Sequence, residues 1–148
     1  MLLNYVFRHT SPKVFLPSRK LSVSLHPQNV RLQYTIMAGI YLHIPFCKRR
    51  CIYCDFFSTT ENEKKKAYIQ ALSKELELRK EYLGGETIDT IYLGGGTPSQ
   101  LEKKDFIRLF DYIYKVYPVN PQAEITLEAN PDDLTPEYVT MLRSLPFN

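Results

Sequence analysis

The sequence predicts an α/β fold, a parallel sheet with helices on its outside. Three observations carry that expectation. From Met37 onward, short apolar runs alternate with amphipathic stretches of helical period. The runs are short enough for buried strands, and the stretches between them are long enough for crossover helices. Capping and stop signals fall at the junctions, so each segment has a chemical reason to begin and end.

Residues 1–36 form no part of this pattern. They show no sustained period, and Pro12, Pro17 and Pro27 interrupt them. They hold Arg8, Lys13, Arg19, Lys20 and Arg31 and no acid, the first acid of the chain being Asp55. The remaining residues carry 14 basic against 16 acidic side chains, so the net charge of +3 belongs to this segment. The body gives no reason to expect nucleic-acid binding. An acid-free segment rich in Arg and Ser has the composition of a transit peptide, and an unstructured extension is a second reading. Because Met37 precedes the first well-patterned strand, sequence read from a start codon ahead of Met37 is the favoured one. Residues 1–36 are therefore expected to be an unstructured extension, and 37–148 the folded body.

In the body, Ile40-Tyr41-Leu42-His43-Ile44 reads as a buried strand ending at Pro45. Thr60 with Glu63 forms a capping-box pattern that opens a helix to about Leu83, which Gly84-Gly85 stops. Its Ile69, Leu72, Leu76 and Leu83 share one face. Ile88 to Leu93 reads as a second strand running into Gly94-Gly95-Gly96-Thr97-Pro98. Ser99 and Glu102 suggest another capping box, before a helix striped by Phe106, Leu109, Phe110 and Ile113. Ala123 to Glu128 is a third strand, followed by the Asn130-Pro131 turn. Thr135 and Pro136 then suit the N-cap and first position of a third helix, with Leu134 placed to staple against Val139. Three such units cannot close a barrel, so the body is expected to be the first half of a larger domain.

Composition excludes several classes. A hydrophobic fraction of 44% with 13% aromatics is too high for a disordered chain. No apolar run approaches the roughly 18 residues that a membrane span needs. Three cysteines are too few for a disulfide scaffold, and all lie between positions 47 and 54, which points to metal ligation.

The central signal is Cys47-Lys48-Arg49-Arg50-Cys51-Ile52-Tyr53-Cys54, a C-x3-C-x2-C spacing directly after a strand. Thiolates bind soft metals and iron–sulfur clusters, and three of them leave one iron of a 4Fe–4S cube open to another ligand. Lys48, Arg49 and Arg50 would offset the cluster's negative charge. Phe46, Tyr53, Phe56 and Phe57 are placed to screen it from water. The competing reading is a zinc site with His43 or Asp55 as fourth ligand, although zinc sites usually pair two C-x2-C knuckles. His43 itself is expected to be a hydrogen-bonded core histidine. The runs Lys64-Lys65-Lys66 and Lys103-Lys104 read as solvated helix faces.

The string Tyr41-Leu42-His43-Ile44-Pro45-Phe46-Cys47 with Cys51 and Cys54 resembles the radical S-adenosylmethionine superfamily. The His-x-Pro-Phe-Cys lead-in is similar to the branch of oxygen-independent coproporphyrinogen III oxidases and HemW-type haem chaperones. The resemblance, which covers about residues 38–148, implies the N-terminal part of a partial (β/α)6 barrel. It also implies a 4Fe–4S cluster on Cys47, Cys51 and Cys54, whose open iron takes S-adenosylmethionine and yields a 5′-deoxyadenosyl radical on reduction.

Gly94, Gly95, Gly96 and Thr97 match the family's glycine motif, whose bare backbone suits the cofactor's methionine carboxylate. Glu128 matches the ribose-binding glutamate, Tyr41 a tyrosine near the sulfonium, and Tyr53 an aromatic beside the adenine. By residue type alone these would be a turn, a solvated carboxylate and a strand-face aromatic. Where the oxidases carry a further cysteine two positions after the third, this sequence has Phe56. The Cys54-Asp55-Phe56 string therefore resembles the HemW type, implying haem binding and delivery to an acceptor protein, with porphyrinogen oxidation as the alternative. A reductant such as flavodoxin or ferredoxin is implied too. The labile cluster favours the cytoplasm, or a mitochondrial matrix if residues 1–36 are a transit peptide.

Overall fold

In the computed structural model, residues 5–8 and 37–148 are described. Four strands make one sheet in the order β1-β2-β3-β4: Tyr5–Arg8, Ala38–Ile44, Ile88–Gly95 and Val119–Leu127. Strands β2, β3 and β4 run parallel. Helix α1 (Lys65–Leu78) connects β2 to β3, α2 (Lys103–Val116) connects β3 to β4, and α3 (Pro136–Leu142) follows. The expected β-α alternation is present.

One strand departs from the expected unstructured extension. Tyr5–Arg8 pairs antiparallel with β2, Tyr5 opposite Tyr41 and Arg8 opposite Ala38. Tyr-Val-Phe-Arg is β-prone, and it covers an edge of β2 that would otherwise present unpaired backbone groups. Four residues are too few to show a period. The rest of the first 36 residues, and with them the transit-peptide and early-start readings, lie outside the described residues.

The sheet has two chemically distinct faces, because side chains alternate along a strand. Ile40, Leu42, Ile44, Ile91, Leu93, Ala123 and Ile125 are buried on one face with Ile69, Leu72 and Leu76 of α1 and Phe106, Leu109, Phe110 and Ile113 of α2. Each fully buried Leu or Phe contributes about 1.5–3 kcal/mol of transfer free energy. The register places Tyr41 opposite Tyr92 and Tyr92 opposite Thr126, so the other face carries Tyr41, His43, Tyr92, Gly94 and Thr126. That face is polar and aromatic.

Boundaries differ from the expectation where local signals compete. Strand β3 runs on to Gly95. Strand β4 begins at Val119 with Pro121 inside it, which its edge position and a register shift tolerate. Thr60 caps nothing: a 3₁₀ turn, Asn62–Lys64, precedes α1, and the neighbouring Thr59 hydroxyl accepts from Glu61 N instead. Gly84 does end the segment in the left-handed region, at φ 59°. The capping box of α2 is formed by Glu102 and Asp105, one turn later than Ser99 would place it. Thr135 caps α3 as expected, accepting from Tyr138 N, with Pro136 in the first turn. Leu134 is exposed and stays out of the core.

Candidate functional site

The loops that leave the C-terminal ends of β2, β3 and β4 meet at one end of the sheet. The cysteine loop is closed at its base by two backbone bonds, Cys47 N to Thr59 O at 2.9 Å and Thr59 N to Pro45 O at 2.8 Å. Cys47 is buried, Cys54 half-buried and Cys51 exposed, all as free thiols. The Thr97 hydroxyl donates to Cys47 Sγ at 3.3 Å, which brings the end of the glycine motif onto the first cysteine.

The glycine motif is shaped by what surrounds it. Gly95 adopts φ +113°, and a Cβ there would lie 2.5 Å from the His43 ring. At Gly94 a Cβ would lie 2.7 Å from Tyr92 and 3.1 Å from both Tyr41 and the Glu128 carboxylate. The bare backbone thus leaves a cradle walled by Tyr41, Tyr92 and Glu128. Glu128 follows β4, with its N–H bonded to Leu93 O at 3.0 Å. Its Oε2 accepts from Gly95 N at 3.1 Å and its Oε1 from the Tyr92 hydroxyl at 2.7 Å. That hydrogen bond, followed by burial, pushes the Tyr92 phenol up to about 12. The Tyr41 and Tyr92 rings stack with centroids 6.0 Å apart.

His43 is the buried, hydrogen-bonded histidine expected from the sequence. Its Nε2 faces Phe57 O at 2.8 Å and so carries the proton, leaving Nδ1 to accept from the Tyr41 hydroxyl at 3.3 Å. With both ring nitrogens engaged, His43 is not a ligand in waiting, which removes one form of the zinc reading. Among the described residues, no three His, Cys, Asp or Glu side chains converge to hold a single metal ion.

Two expectations need correction. Phe46 does not screen the cysteines; it is buried in the core, edge-on to Tyr68 at 5.4 Å. Tyr53, Phe56 and Phe57 are 85%, 64% and 66% exposed, so they project from the loop rather than cover it. Tyr53 lies beside Cys51, whose sulfur raises its phenol above the ordinary value through a hydrogen bond and then through charge. Lys65 also departs from a solvated face: its Nζ donates to Gln100 O at 2.7 Å and lies 6.0 Å from the Phe46 ring centre.

Sequence reasoning missed Tyr92 and Asp133. Asp133 is buried in the 3₁₀ turn Pro131–Asp133, which the Asn130 side chain caps. It accepts from Lys48 Nζ, from Ser99 Oγ at 2.7 Å and from Gln100 Nε2 at 2.5 Å. Desolvation pushes its carboxyl up, but these three hydrogen bonds outweigh it and hold the group below its ordinary value. No local pattern marks either residue, since their partners are remote in sequence.

Three free cysteines on a loop after the first parallel strand, with a glycine cradle after the second and a carboxylate after the third, define the class. The chain belongs to the Radical SAM superfamily, which residues 41–148 match. Within it, the chain is 39% identical over 110 residues to the haem chaperone HemW of Mycobacterium tuberculosis, covering 72% of this chain and 28% of that protein. It is 36% identical to HemW of Bacillus subtilis, covering 76% and 30%. It is 32% identical to the oxygen-independent coproporphyrinogen III oxidase of Escherichia coli, covering 74% and 24%. The solved structure of the E. coli oxidase HemN, described as a radical SAM enzyme, superposes with a TM-score of 0.66 at 32% identity, covering 73% and 25%. The chain thus spans 24% to 30% of the length of these relatives. No helix among the described residues is long and apolar enough to cross a membrane.

Proposed function

We propose that Cys47, Cys51 and Cys54 ligate a 4Fe–4S cluster and that S-adenosylmethionine binds beside it across the glycine cradle. In this reading Gly94, Gly95, Gly96 and Thr97 give close backbone approach, Glu128 holds the ribose, and Tyr41 and Tyr53 flank the sulfonium and adenine. The observation that carries it is the junction of two halves recognised separately in the sequence: Thr97 on Cys47, and Gly95 on Glu128.

The residues fit these groups on physical grounds. Separate irons of a cube take separate thiolates, so its ligands need not converge as those of one ion do. The Thr97 hydroxyl donates to Cys47 Sγ and so helps orient that sulfur. The Gly94 cradle is space that any side chain would fill. When bound, cluster and cofactor supply one-electron radical chemistry. The chain's own residues orient: Glu128 is fixed by Tyr92 and Gly95, and His43 holds the C-terminal end of the cysteine loop through Phe57 O.

For the whole protein we propose a HemW-like haem chaperone, which binds haem and delivers it to an acceptor protein in a reducing compartment, the cytoplasm. Phe56 in place of a further cysteine supports this over coproporphyrinogen oxidation, as do the higher identities to HemW proteins. A small reductant such as flavodoxin or ferredoxin is the expected electron donor. The test is an anaerobic assay of the reconstituted full-length protein with reductant, S-adenosylmethionine and either haem or coproporphyrinogen III. Tight haem binding without decarboxylation is expected; conversion to protoporphyrinogen would replace the chaperone with the oxidase.

A further inference from the structure

The cluster and cofactor sites leave the buried Asp133 without a role. Its carboxylate receives donors from two other loops. Lys48 directly follows Cys47, and Ser99 and Gln100 follow Thr97-Pro98. Ser99 Oγ in turn accepts from Asn130 N at 3.0 Å, two residues beyond Glu128. One carboxylate therefore joins the loops after all three parallel strands, and each of those loops carries part of the site.

We propose that Asp133 is a positioning residue that fixes the cysteine loop against the glycine turn and so sets the spacing between the thiolates and the cofactor cradle. This rests on the cluster reading above. Hydrogen bonds to a carboxylate are directional, so they fix orientation as well as contact. The Lys48 bond acts one residue from a metal ligand, and the Ser99 and Gln100 bonds act two and three residues from the hydroxyl that touches that ligand's sulfur. The other described ties of the loop, its backbone bridge at Thr59, the His43 bond to Phe57 O and the Thr97 bond to Cys47 Sγ, hold its base, its C-terminal end and its first cysteine. Only the Asp133 bonds reach from the loop to the turn after β4 among these ties.

Partners that orient a metal ligand are worth about 10–100-fold in affinity or activity when removed. The test compares wild type, Asp133→Asn, Asp133→Glu and Lys48→Met, each reconstituted anaerobically. Iron content is measured, and the electron paramagnetic resonance spectrum of the reduced cluster is titrated with S-adenosylmethionine. Asp133→Asn and Lys48→Met should keep their iron while the cofactor concentration that shifts the spectrum rises about tenfold. Asp133→Glu, which keeps the carboxylate, should recover most of that loss. Equal midpoints in all four proteins would overturn the inference. Should Asp133→Asn fail to fold, Lys48→Met decides, since that side chain is 59% exposed. If wild type takes up no iron, the cluster reading fails, and hydrogen exchange of the apoprotein decides instead. Asp133→Asn should then speed exchange at the Cys47 and Thr59 amides, and unchanged exchange would overturn the positioning role.

Discussion

Gly95 shows how tightly the site is built at the scale of single residues. Its backbone sits where side chains are strained, and the His43 ring occupies the place of a Cβ. Gly95→Ala should therefore cost about 1–3 kcal/mol in denaturant unfolding. Tyr92 makes a second prediction with a definite sign. Its folded-state pKa is raised from 10.0 to about 12 by the bond to Glu128, so the neutral phenol is the stabilised form. That contribution is complete below pH 10 and is lost as pH rises through about 12. The stability difference between wild type and Tyr92→Phe should shrink across this interval, whereas a constant difference would break the link to Glu128. The cysteine spacing after a strand was a local pattern that the sequence displayed, whereas the glycines and Glu128 were singled out only by the family resemblance. Tyr92 and Asp133 were not legible, because what makes them informative is a partner 33 to 85 positions away.

At the scale of elements, the type and order of every strand and helix after Met37 followed from periodicity, while the starts of α1 and α2 did not. Two capping signals competed for α2, whereas α1 begins after Lys64 with no side-chain cap. Asp105 reaches back to the Glu102 backbone while Ser99 is drawn to Asp133, a tertiary demand that overrides the local one. Cap substitutions separate the two kinds of threonine. Thr135→Ala should cost about 1 kcal/mol, because its oxygen accepts from Tyr138 N. Thr60→Ala, at a position that caps no helix, should stay within about 0.5 kcal/mol. Thermal unfolding of the two variants side by side distinguishes them.

Over the whole molecule, the sheet separates the packed core from the candidate site. The apolar face is packed under α1 and α2, so Leu72→Ala should destabilise by about 2–5 kcal/mol. The opposite face carries Tyr41, Tyr92 and Gly94 and leads to Glu128. The two faces could not be told apart in the sequence, because β2 is buried on both faces and reads as a continuous apolar run. The measurement that bears most directly on the account is iron and acid-labile sulfide content after anaerobic reconstitution, for wild type and for Cys47→Ala, Cys51→Ala and Cys54→Ala. The account predicts about four of each per wild-type chain and loss of the cluster in every variant. Binding of a single zinc ion in place of iron, or a cluster that survives all three substitutions, would contradict it.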